Sequence, residues 1–256
     1  MMPAVFIGHG SPENALEKNE FTEAWKQLAR EIPTPKAILS ISAHWLSEGT
    51  AVTAMEKPRT IHDFYGFPQE LYDVEYKAKG SLEHANLVRE SVKAVKVSLD
   101  KEWGLDHGTW SVLVNMYSKA DIPVIQLSLD YYLSLEKQYQ LGKELKALRE
   151  KGVLIMGSGN IVHNLGMITP EGPAYKWAVD FDSFVKKALE KRDDSSLINY
   201  RKAPSAELSH PTYDHYLPLL YVLGASENEK PRFLCEKIFY GSLSMRCAVF
   251  GIENRM

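Results

Sequence analysis

The sequence predicts an α/β protein: a central, mostly parallel mixed sheet with helices on both faces and a C-terminal antiparallel hairpin. Short apolar runs that are typical of buried strands alternate with longer segments of helical periodicity. A helix between two strands returns the chain to the same edge of the sheet, so alternation of this kind predicts parallel pairing. The last two apolar runs, residues 232–240 and 244–250, meet at Gly241 without an intervening helix, and we expect them to pair antiparallel at the sheet edge.

The length and composition favour one folding unit. The 256 residues are 45% hydrophobic and 25% charged, without a linker or an internal repeat, and we expect a single domain over residues 1–256. The net charge of −3 argues against a broad attraction to nucleic acid or to an anionic membrane. No apolar run approaches the roughly 20 residues that span a bilayer.

The cysteines and the start of the chain predict a cytoplasmic location. Cys235 and Cys247 are too few for a disulfide framework, and we interpret them as reduced core thiols. The first strand is predicted within a few residues of Met1, which leaves no room for a signal peptide.

The first half of the chain contains three predicted strands, two helices and one aromatic loop. A strand at 5–7 ends in glycine and proline, and a helix at 20–31 ends at two X-Pro steps. Further strands are predicted at 37–42 and 51–55. Residues 58–68 are too rich in proline, glycine and aromatic residues for regular structure. Ser81 caps a helix that extends to about residue 95, whose apolar positions recur at helical spacing: Leu82, Ala85, Val88, Val92 and Val95.

The second half continues the alternation. The short run 97–99 fits either a strand or a helix end. The segment DHGTW opens a helix to about residue 117, and a strand at 122–129 follows. A helix at 135–149 ends near Gly152, and the apolar run 153–156 is the next strand. Helices are predicted at 175–190 and 216–223, separated by a polar stretch at 192–205.

Three of the predicted strands end in segments that carry a histidine. The first strand leads into His9 between two glycines, the strand 37–42 leads into His44, and the strand 153–156 leads into GSGN with His163 beyond. Because the carboxyl ends of parallel strands lie at one edge of a sheet, we expect these histidines to meet there. A structural role is the better interpretation of any one of them, but three together favour a metal or catalytic centre, since imidazole is both a common metal ligand and a proton carrier.

Of the remaining histidines only His84 and His210 are weaker candidates, and no short motif identifies a different chemistry. His107 and His215 lie at element ends, whereas His84 falls off its apolar stripe and His210 fits a turn before proline. The sequence contains no HExxH, CxxC or EF-hand pattern. GSGN lacks a glycine at position 162, where there is Val162, and no serine lies in a GxSxG elbow.

Six segments around histidines resemble one family, in the same order and from Phe6 to Ser244. They are GHGSP at His9, SAHW at His44, TIHDFYGFP at His62, DHGTW at His107, GSGNIVHNL at His163 and DHYLPLLYVLGA at His215. The family is that of the class III extradiol ring-cleavage dioxygenases, and the match is closest to the 4,5-DOPA dioxygenase type, which is related to the catalytic subunit of protocatechuate 4,5-dioxygenase. The resemblance is specific for the family and less so for the substrate.

The resemblance implies a set of metal ligands and acid/base groups. His9 and His44 correspond to ligands, and His215, preceded by Asp214, stands where the parent family has a glutamate ligand. His163 resembles the acid/base histidine, close enough to the metal to bind it when substrate is absent. His107 resembles a second catalytic histidine of the pocket.

The resemblance also implies a cofactor and a substrate side. Fe(II) is expected for activity, with Zn(II) as an alternative occupant, because two or three imidazoles leave positions on one face of the metal for a catechol and O2. The product is a ring-opened semialdehyde, formed by insertion of O2 beside the diol. Phe67 and Trp110 are expected as further walls of the pocket, and Arg59 as a cation for a substrate carboxylate. The expected substrate contacts are His62, Asp63, Phe64, Tyr65 and Trp45.

Two other functions use the same residues. A zinc hydrolase would activate water on the histidine site and would be indifferent to O2. A non-catalytic relative would bind a ligand in the pocket and turn over no catechol. The oligomeric state is open at this point.

Overall fold

The computed structural model describes residues 1–252, which contain ten strands and nine α-helices. The strands are β1 (Ala4–Gly8), β2 (Ala37–Ser47), β3 (Thr50–Thr53), β4 (Val97–Asp100), β5 (Val124–Asp130), β6 (Val153–Gly159), β7 (Arg232–Leu234), β8 (Ile238–Phe239), β9 (Leu243–Ser244) and β10 (Cys247–Phe250). The helices are α1 (Glu20–Glu31), α2 (Gln69–Tyr72), α3 (Leu82–Ser91), α4 (His107–Met116), α5 (Leu135–Glu150), α6 (Lys176–Lys191), α7 (Asp194–Ile198), α8 (Ala206–Ser209) and α9 (Leu217–Ala225). Short 3-10 turns lie at Pro12–Ala15, Leu165–Met167 and Tyr200–Lys202.

Eight strands form one mixed sheet in the order β4-β3-β5-β2-β6-β1-β10-β7. Its centre is parallel: β5, β2, β6 and β1 run in one direction, as the alternation of elements predicts. The antiparallel pairs are β3 with β5, and β10 with β1 and β7. Because β2, β6 and β1 are neighbours, the three predicted strand ends lie side by side at one edge.

Helices cover both faces of the sheet, and the alternation of side chains along β1 shows why. Ala4 and Phe6 belong to one apolar core, with helices α5 and α9, while Val5 and Ile7 belong to the other, with α1 and α4. Successive strand residues point to opposite faces, so a strand that is apolar throughout is buried between two layers. The burial of all five residues of β1 confirms the predicted α/β arrangement.

Capping residues define the helices where the sequence predicts them. Asn19 forms a capping box with Thr22 at the start of α1, and the Ser81 hydroxyl accepts a bond from the His84 amide at the start of α3. Helix α3 is shorter than predicted, because Val92 is already extended and residues 97–100 form β4. Among residues 1–252, no helix has the length and apolar character needed to cross a membrane.

The C-terminal hairpin is more divided than predicted. The run 232–240 breaks after β7, where Cys235 has a left-handed φ of 54°, and β8 pairs with β9 in a separate two-stranded sheet. Strand β10 lies between β1 and β7, so of these C-terminal strands only β7 lies at an edge of the large sheet, whose other edge is β4. The predicted polar stretch 192–205 also contains helix α7.

Candidate functional site

Five histidines meet at the carboxyl edge of the central strands and line one cavity of about 520 Å³, within the usual range for small-ligand sites. His9 directly follows β1, and His44 lies near the carboxyl end of β2. His107 is the first residue of α4, His163 follows β6 and His215 precedes α9. The sequence predicts the meeting of His9, His44 and His163 from their strand ends, and the structure places them together.

The imidazoles are close enough to share one cation. The Nε2 atoms of His9 and His44 are 3.2 Å apart, and single ligand atoms of His9, His44 and His107 all lie within 4.8 Å of one another. The His215 ring centroid lies 5.3 Å from that of His9 and 4.9 Å from that of His44. The His163 ring stacks on His215 at 3.4 Å.

A serine fixes the tautomer of His9. The Ser158 hydroxyl has one proton, which it donates to the Gly108 carbonyl oxygen, and it lies 3.0 Å from His9 Nδ1. It can therefore only accept from His9, so Nδ1 carries the proton and the Nε2 lone pair faces the other histidines.

Two carboxylates orient the other rings in the same manner. Asp63 Oδ2 lies 3.3 Å from His44 Nδ1 and 3.0 Å from His107 Nδ1, the latter in an ion-pair geometry that is not aligned as a hydrogen bond. His215 Nδ1 donates to Asp214 Oδ2 at 2.5 Å. Metal-binding histidines usually donate their second ring nitrogen to a carboxylate or another polar acceptor in this way.

The remaining lone pairs fit a bound cation. Two bare Nε2 atoms, on His9 and His44, face each other at hydrogen-bond distance without a proton between them, and His215 Nε2 is buried without a partner among the described residues. A buried nitrogen without a partner costs about 1–3 kcal/mol. A metal ion would satisfy the facing nitrogens of His9 and His44 together with a third ligand, and the ligand atoms that lie within 4.8 Å of one another are those of His9, His44 and His107. Neutral imidazole is a ligand that both zinc and iron accept.

Burial keeps these imidazoles neutral. The pKa values of His9, His44 and His215 lie well below the usual histidine value, chiefly because burial disfavours the charged ring and then because of the neighbouring imidazoles. Burial also lowers the pKa of His163 to about 4. At neutral pH all four rings therefore offer lone pairs.

Asp63 carries a stable negative charge beside them. Burial alone would raise the pKa of Asp63, but the close contact with the His107 side chain, the neighbouring His44 ring and the His107 backbone amide lower it to about 2. Asp63 Oδ1 also accepts from the backbone amide of His107 at 2.9 Å, which ties the loop 58–68 to α4.

A buried polar network positions the start of α4. Asp106 caps the helix by accepting from the Thr109 amide, and its other carboxylate oxygen accepts from the Gln126 side chain on β5. Burial and the nearby Asp63 raise the pKa of Asp106 to about 6. Gly108 is needed here, because a Cβ would lie 2.5 Å from Ser42 Oγ and 2.9 Å from the His44 ring. The close approach of α4 to β2 brings His107 beside His44.

Aromatic and aliphatic side chains form the cavity walls. Phe64 contacts Phe67 edge to face at 5.3 Å and His107 at 5.6 Å, as the aromatic loop predicts. Tyr65 lines the cavity with its side chain 91% exposed, which places it at the entrance. No sequence motif identifies four further wall residues, which lie in the segment after His163 and around β8 and β9: Leu165, Ile168, Tyr240 and Leu243.

Several aromatic and basic residues expected at the substrate lie elsewhere. Trp45 stacks on Trp103 at 5.3 Å, and Trp110 is buried with its Nε1 donating to the Ile61 carbonyl oxygen. His62 Nε2 donates to the Val74 carbonyl oxygen.

His62 instead lines a separate cavity together with Arg59, whose Nε donates to the Trp103 carbonyl oxygen. The expectation that Arg59 faces a substrate carboxylate in the histidine cavity is therefore corrected. Substrate contact by Trp45 and His62 stays a prediction without support from this cavity.

The two remaining histidines have structural surroundings. His84 Nδ1 lies 2.8 Å from the Ser81 hydroxyl at the start of α3. His210 is buried among Phe181, Tyr200 and Tyr216, and its Nε2 donates to the Ile161 carbonyl oxygen at 2.6 Å. His210 is thus a core residue rather than the simple turn residue that its proline neighbour suggests.

Comparisons with known proteins agree over nearly the whole chain. Residues 2–251 match the family described as the catalytic LigB subunit of aromatic ring-opening dioxygenase. The chain is 47% identical over 257 residues to the 4,5-DOPA dioxygenase extradiol of Escherichia coli K12, covering 98% of this chain and 95% of the relative. It is 40% identical over 240 residues to the Beta vulgaris protein of the same name, covering 90% and 89%.

A solved structure has the same fold. It is that of an uncharacterized protein from Escherichia coli K12, with a TM-score of 0.87 and 43% sequence identity. The alignment covers 98% of this chain and 100% of that one. The fold is therefore shared over its full length, including the strand ends that carry the histidines.

Proposed function

The chain belongs to the LigB family of catalytic subunits of aromatic ring-opening dioxygenases, and from this premise we propose how its own residues carry the reaction. It is a metal-dependent extradiol ring-cleavage dioxygenase. We propose that its substrate is a catechol, either simple or with a DOPA-like side chain, opened beside the two hydroxyls to a semialdehyde. One observation carries the assignment of the site: the Nε2 atoms of His9 and His44 face each other at 3.2 Å, the His215 Nε2 is buried without a partner among residues 1–252, and each of the three rings is held from behind by a different polar group.

We propose His9, His44 and His215 as the ligands of an Fe(II) ion, with His163 joining them when no substrate is bound. The orphaned Nε2 of His215 and the facing Nε2 atoms of His9 and His44 support this set. A bound Fe(II) would supply open positions for the two catechol oxygens and for O2, and would conduct electrons from the catechol ring, which is the reductant, to O2. Zn(II) fits the same three nitrogens, so the fit alone does not select iron.

His107 is the alternative third ligand, because its ligand atom lies with those of His9 and His44. Its position against Asp63 favours a different role. The Asp63 carboxylate faces both His44 and His107, so it holds the two rings in a fixed relation. We propose that His107 donates a hydrogen bond to substrate from its remaining nitrogen.

His163 is suited to move a proton. It lines the cavity, its side chain has no hydrogen-bond partner among residues 1–252, and its ring is neutral at pH 7 because burial lowers its pKa to about 4. A neutral ring nitrogen can accept the proton of a catechol hydroxyl and return it later in the reaction. Stacking on His215 holds the ring in one plane beside the proposed ligands.

The walls are suited to a flat ring. Phe64, Phe67, Leu165 and Ile168 give the cavity a largely apolar surface next to the imidazoles. A catechol with its oxygens at the histidines would place its ring against these side chains and displace water from around the reacting carbon atoms.

We also propose a cytoplasmic location. Cys235 and Cys247 are both free thiols in the structure, as expected in a reducing compartment. The net charge of −3 supports small molecules, rather than nucleic acid, as the partners.

The test is anaerobic reconstitution with Fe(II), followed by addition of O2 with catechol, DOPA or protocatechuate, and with a monophenol as the control. We expect O2 uptake and a yellow semialdehyde with at least one catechol and none with the monophenol. Uptake with the monophenol alone would exclude a mechanism in which two adjacent oxygens are bound. Hydrolysis of esters or amides by the zinc form, with no O2 uptake by the iron form, would instead favour the hydrolase.

A further inference from the structure

The histidine cavity has a one-sided charge. Its lining contains two carboxylates, Asp63 and Glu13, and no lysine or arginine. Asp63 is already committed, because it faces His44 and His107 and accepts from the His107 amide. Glu13 is therefore the one cavity carboxylate whose charge is not matched by a neighbouring ring.

Glu13 is held in place by the same turn that follows His9. The Ser11 hydroxyl donates to Glu13 Oε2 at 3.0 Å, while Asn14 Nδ2 donates to the His9 carbonyl oxygen at 2.9 Å. Gly10 has a φ of +65°, which lets the chain turn sharply between His9 and the 3-10 turn. The position of Glu13 is thus coupled to that of a proposed metal ligand.

No cation of the chain neutralises Glu13 within the part that the structure describes. Lys237 pairs with Glu20 at 2.5 Å and lines a different cavity. Arg59 lies at the separate cavity with His62. A half-buried carboxylate that accepts a hydrogen bond from Ser11 but has no cationic protein partner can therefore bind a charged group of the ligand.

We infer that Glu13 determines specificity, selecting catechols whose side chain carries an ammonium group and disfavouring those whose side chain carries a carboxylate. The inference rests on the proposed function, which fixes the two ring oxygens at the histidines and leaves the ring substituent to meet other parts of the lining. An ammonium group there gains a charge-assisted hydrogen bond to Glu13. A substrate carboxylate is repelled by Glu13 and finds no lysine or arginine on the lining to replace the water that it loses.

The test compares three catechols that differ mainly in side-chain charge: dopamine, 4-ethylcatechol and 3,4-dihydroxyphenylacetate. The Fe(II)-loaded wild type should have its lowest KM for dopamine and its highest for the acid. Glu13→Gln should raise KM for dopamine about tenfold, equivalent to about 1.4 kcal/mol, with kcat and the KM for 4-ethylcatechol changed by less than about twofold. Glu13→Arg should reverse the order and favour the acid.

Glu17→Gln is the matched control, because it makes the same chemical change four residues along the chain, at an exposed position outside the histidine cavity. Its kinetic constants should equal those of the wild type. Anaerobic calorimetric titration of the Fe(II)-loaded proteins with dopamine gives Kd without turnover, and Glu13→Gln should raise that Kd by the same factor as KM.

The two readouts separate the inference from the proposed function. An unchanged dopamine Kd and KM in Glu13→Gln, with normal turnover of 4-ethylcatechol, would overturn the role of Glu13 and leave the dioxygenase intact. Absence of O2 uptake with all three catechols would overturn the proposed substrate class. In that event the calorimetric titration still decides whether Glu13 binds the ammonium group.

Discussion

The two ends of the central sheet carry buried polar clusters of opposite character. At the amino ends of β1 and β6, Arg149 is fully buried and its guanidinium group has acceptors within the protein. It donates to the carbonyl oxygens of Met2 and Ala225 and to both carboxylate oxygens of Glu229. At the carboxyl ends, five imidazoles crowd together with bare nitrogens that face one another.

The Arg149 cluster has the character of one that stabilises the fold, whereas the histidine cluster has the character of a binding site. Buried polar groups are normally satisfied within the protein, and Arg149 follows this rule. The histidine cluster departs from it, and such departures are expected at functional sites. Stability at that end comes from the apolar layers around it, so the two clusters should respond differently to mutation.

The largest effect is expected for His9→Ala. Removing one of three converging nitrogens, together with its bond to Ser158, should abolish iron binding and measurable O2 uptake, while the free energy of unfolding of the metal-free protein stays close to that of the wild type. Metal analysis, oxygen electrode traces and urea unfolding of the metal-free proteins measure the three quantities. His84→Ala is the control, since His84 lies on α3 away from the cavity. A His9→Ala protein that keeps its iron would remove His9 from the ligand set.

The opposite result is expected for Arg149→Met. The change leaves two buried carbonyl oxygens and Glu229 without their donor, which should lower the free energy of unfolding by about 3–5 kcal/mol. The iron content and kcat of the protein that remains folded should be unchanged. Lys151→Met, an exposed substitution two residues away, should alter neither property. Loss of iron at full stability in Arg149→Met would contradict the separation of the two clusters.

His163→Ala tests the division of labour within the histidine cluster. We expect most of the iron to stay bound and kcat to fall by roughly 10²–10⁴-fold, the usual contribution of a positioned acid/base group. Iron analysis and single-turnover kinetics on the same sample separate the two effects. If the variant is purified without iron under conditions that load the wild type, His163 is a ligand first.

His210 provides the smallest and most specific comparison, because it is a buried imidazole outside the cluster. Burial lowers its pKa to about 4 in the folded protein, against about 6.5 when unfolded, so the unfolded chain binds more protons between these values. Its contribution to stability is full above pH 6.5 and is lost as the pH falls toward 4, by roughly 3 kcal/mol.

His210→Gln can keep a donor to the Ile161 carbonyl oxygen but does not titrate. The free energy of unfolding of the metal-free protein should fall less between pH 7 and pH 4 in this variant than in the wild type. The other buried histidines titrate in both proteins and cancel in the difference. Equal pH dependence would show that the pKa of His210 is not lowered in the folded state.

The fold was predictable to the extent that local signals determine it. The caps and X-Pro steps locate α1 to the residue, and unbroken apolar runs identify the strands of the parallel centre. The division of the 232–240 run at Cys235 and the insertion of β10 beside β1 depend on pairing between distant segments. No local pattern reports such pairing.

The site was predictable where it follows from strand ends. The strand-end argument alone predicts that His9, His44 and His163 lie close together. His107 and His215 needed the family resemblance, because they lie at the starts of helices and no sequence pattern shows where those starts lie relative to the sheet. The aromatic composition of the loop 58–68 predicts that it lies at the pocket, but not which of its side chains face the histidine cavity. Phe64 faces that cavity and His62 faces a separate one. The cavity contact of Glu13 depends on the turn after His9, which no sequence motif identified.

The middle strand of the site, β6, contains none of the proposed metal ligands, and the site still depends on it. Strands β1 and β2 flank β6, so their backbones are about 9.5 Å apart, at two strand spacings, yet His9 and His44 reach within 3.2 Å of each other across it. Strand β6 ends in Gly157, Ser158 and Gly159, and a Cβ at Gly159 would lie 2.1 Å from the His215 carbonyl oxygen. The position of His215 beside the other two rings therefore depends on the small size of residue 159, where a single methyl group would displace His215 without touching its ring.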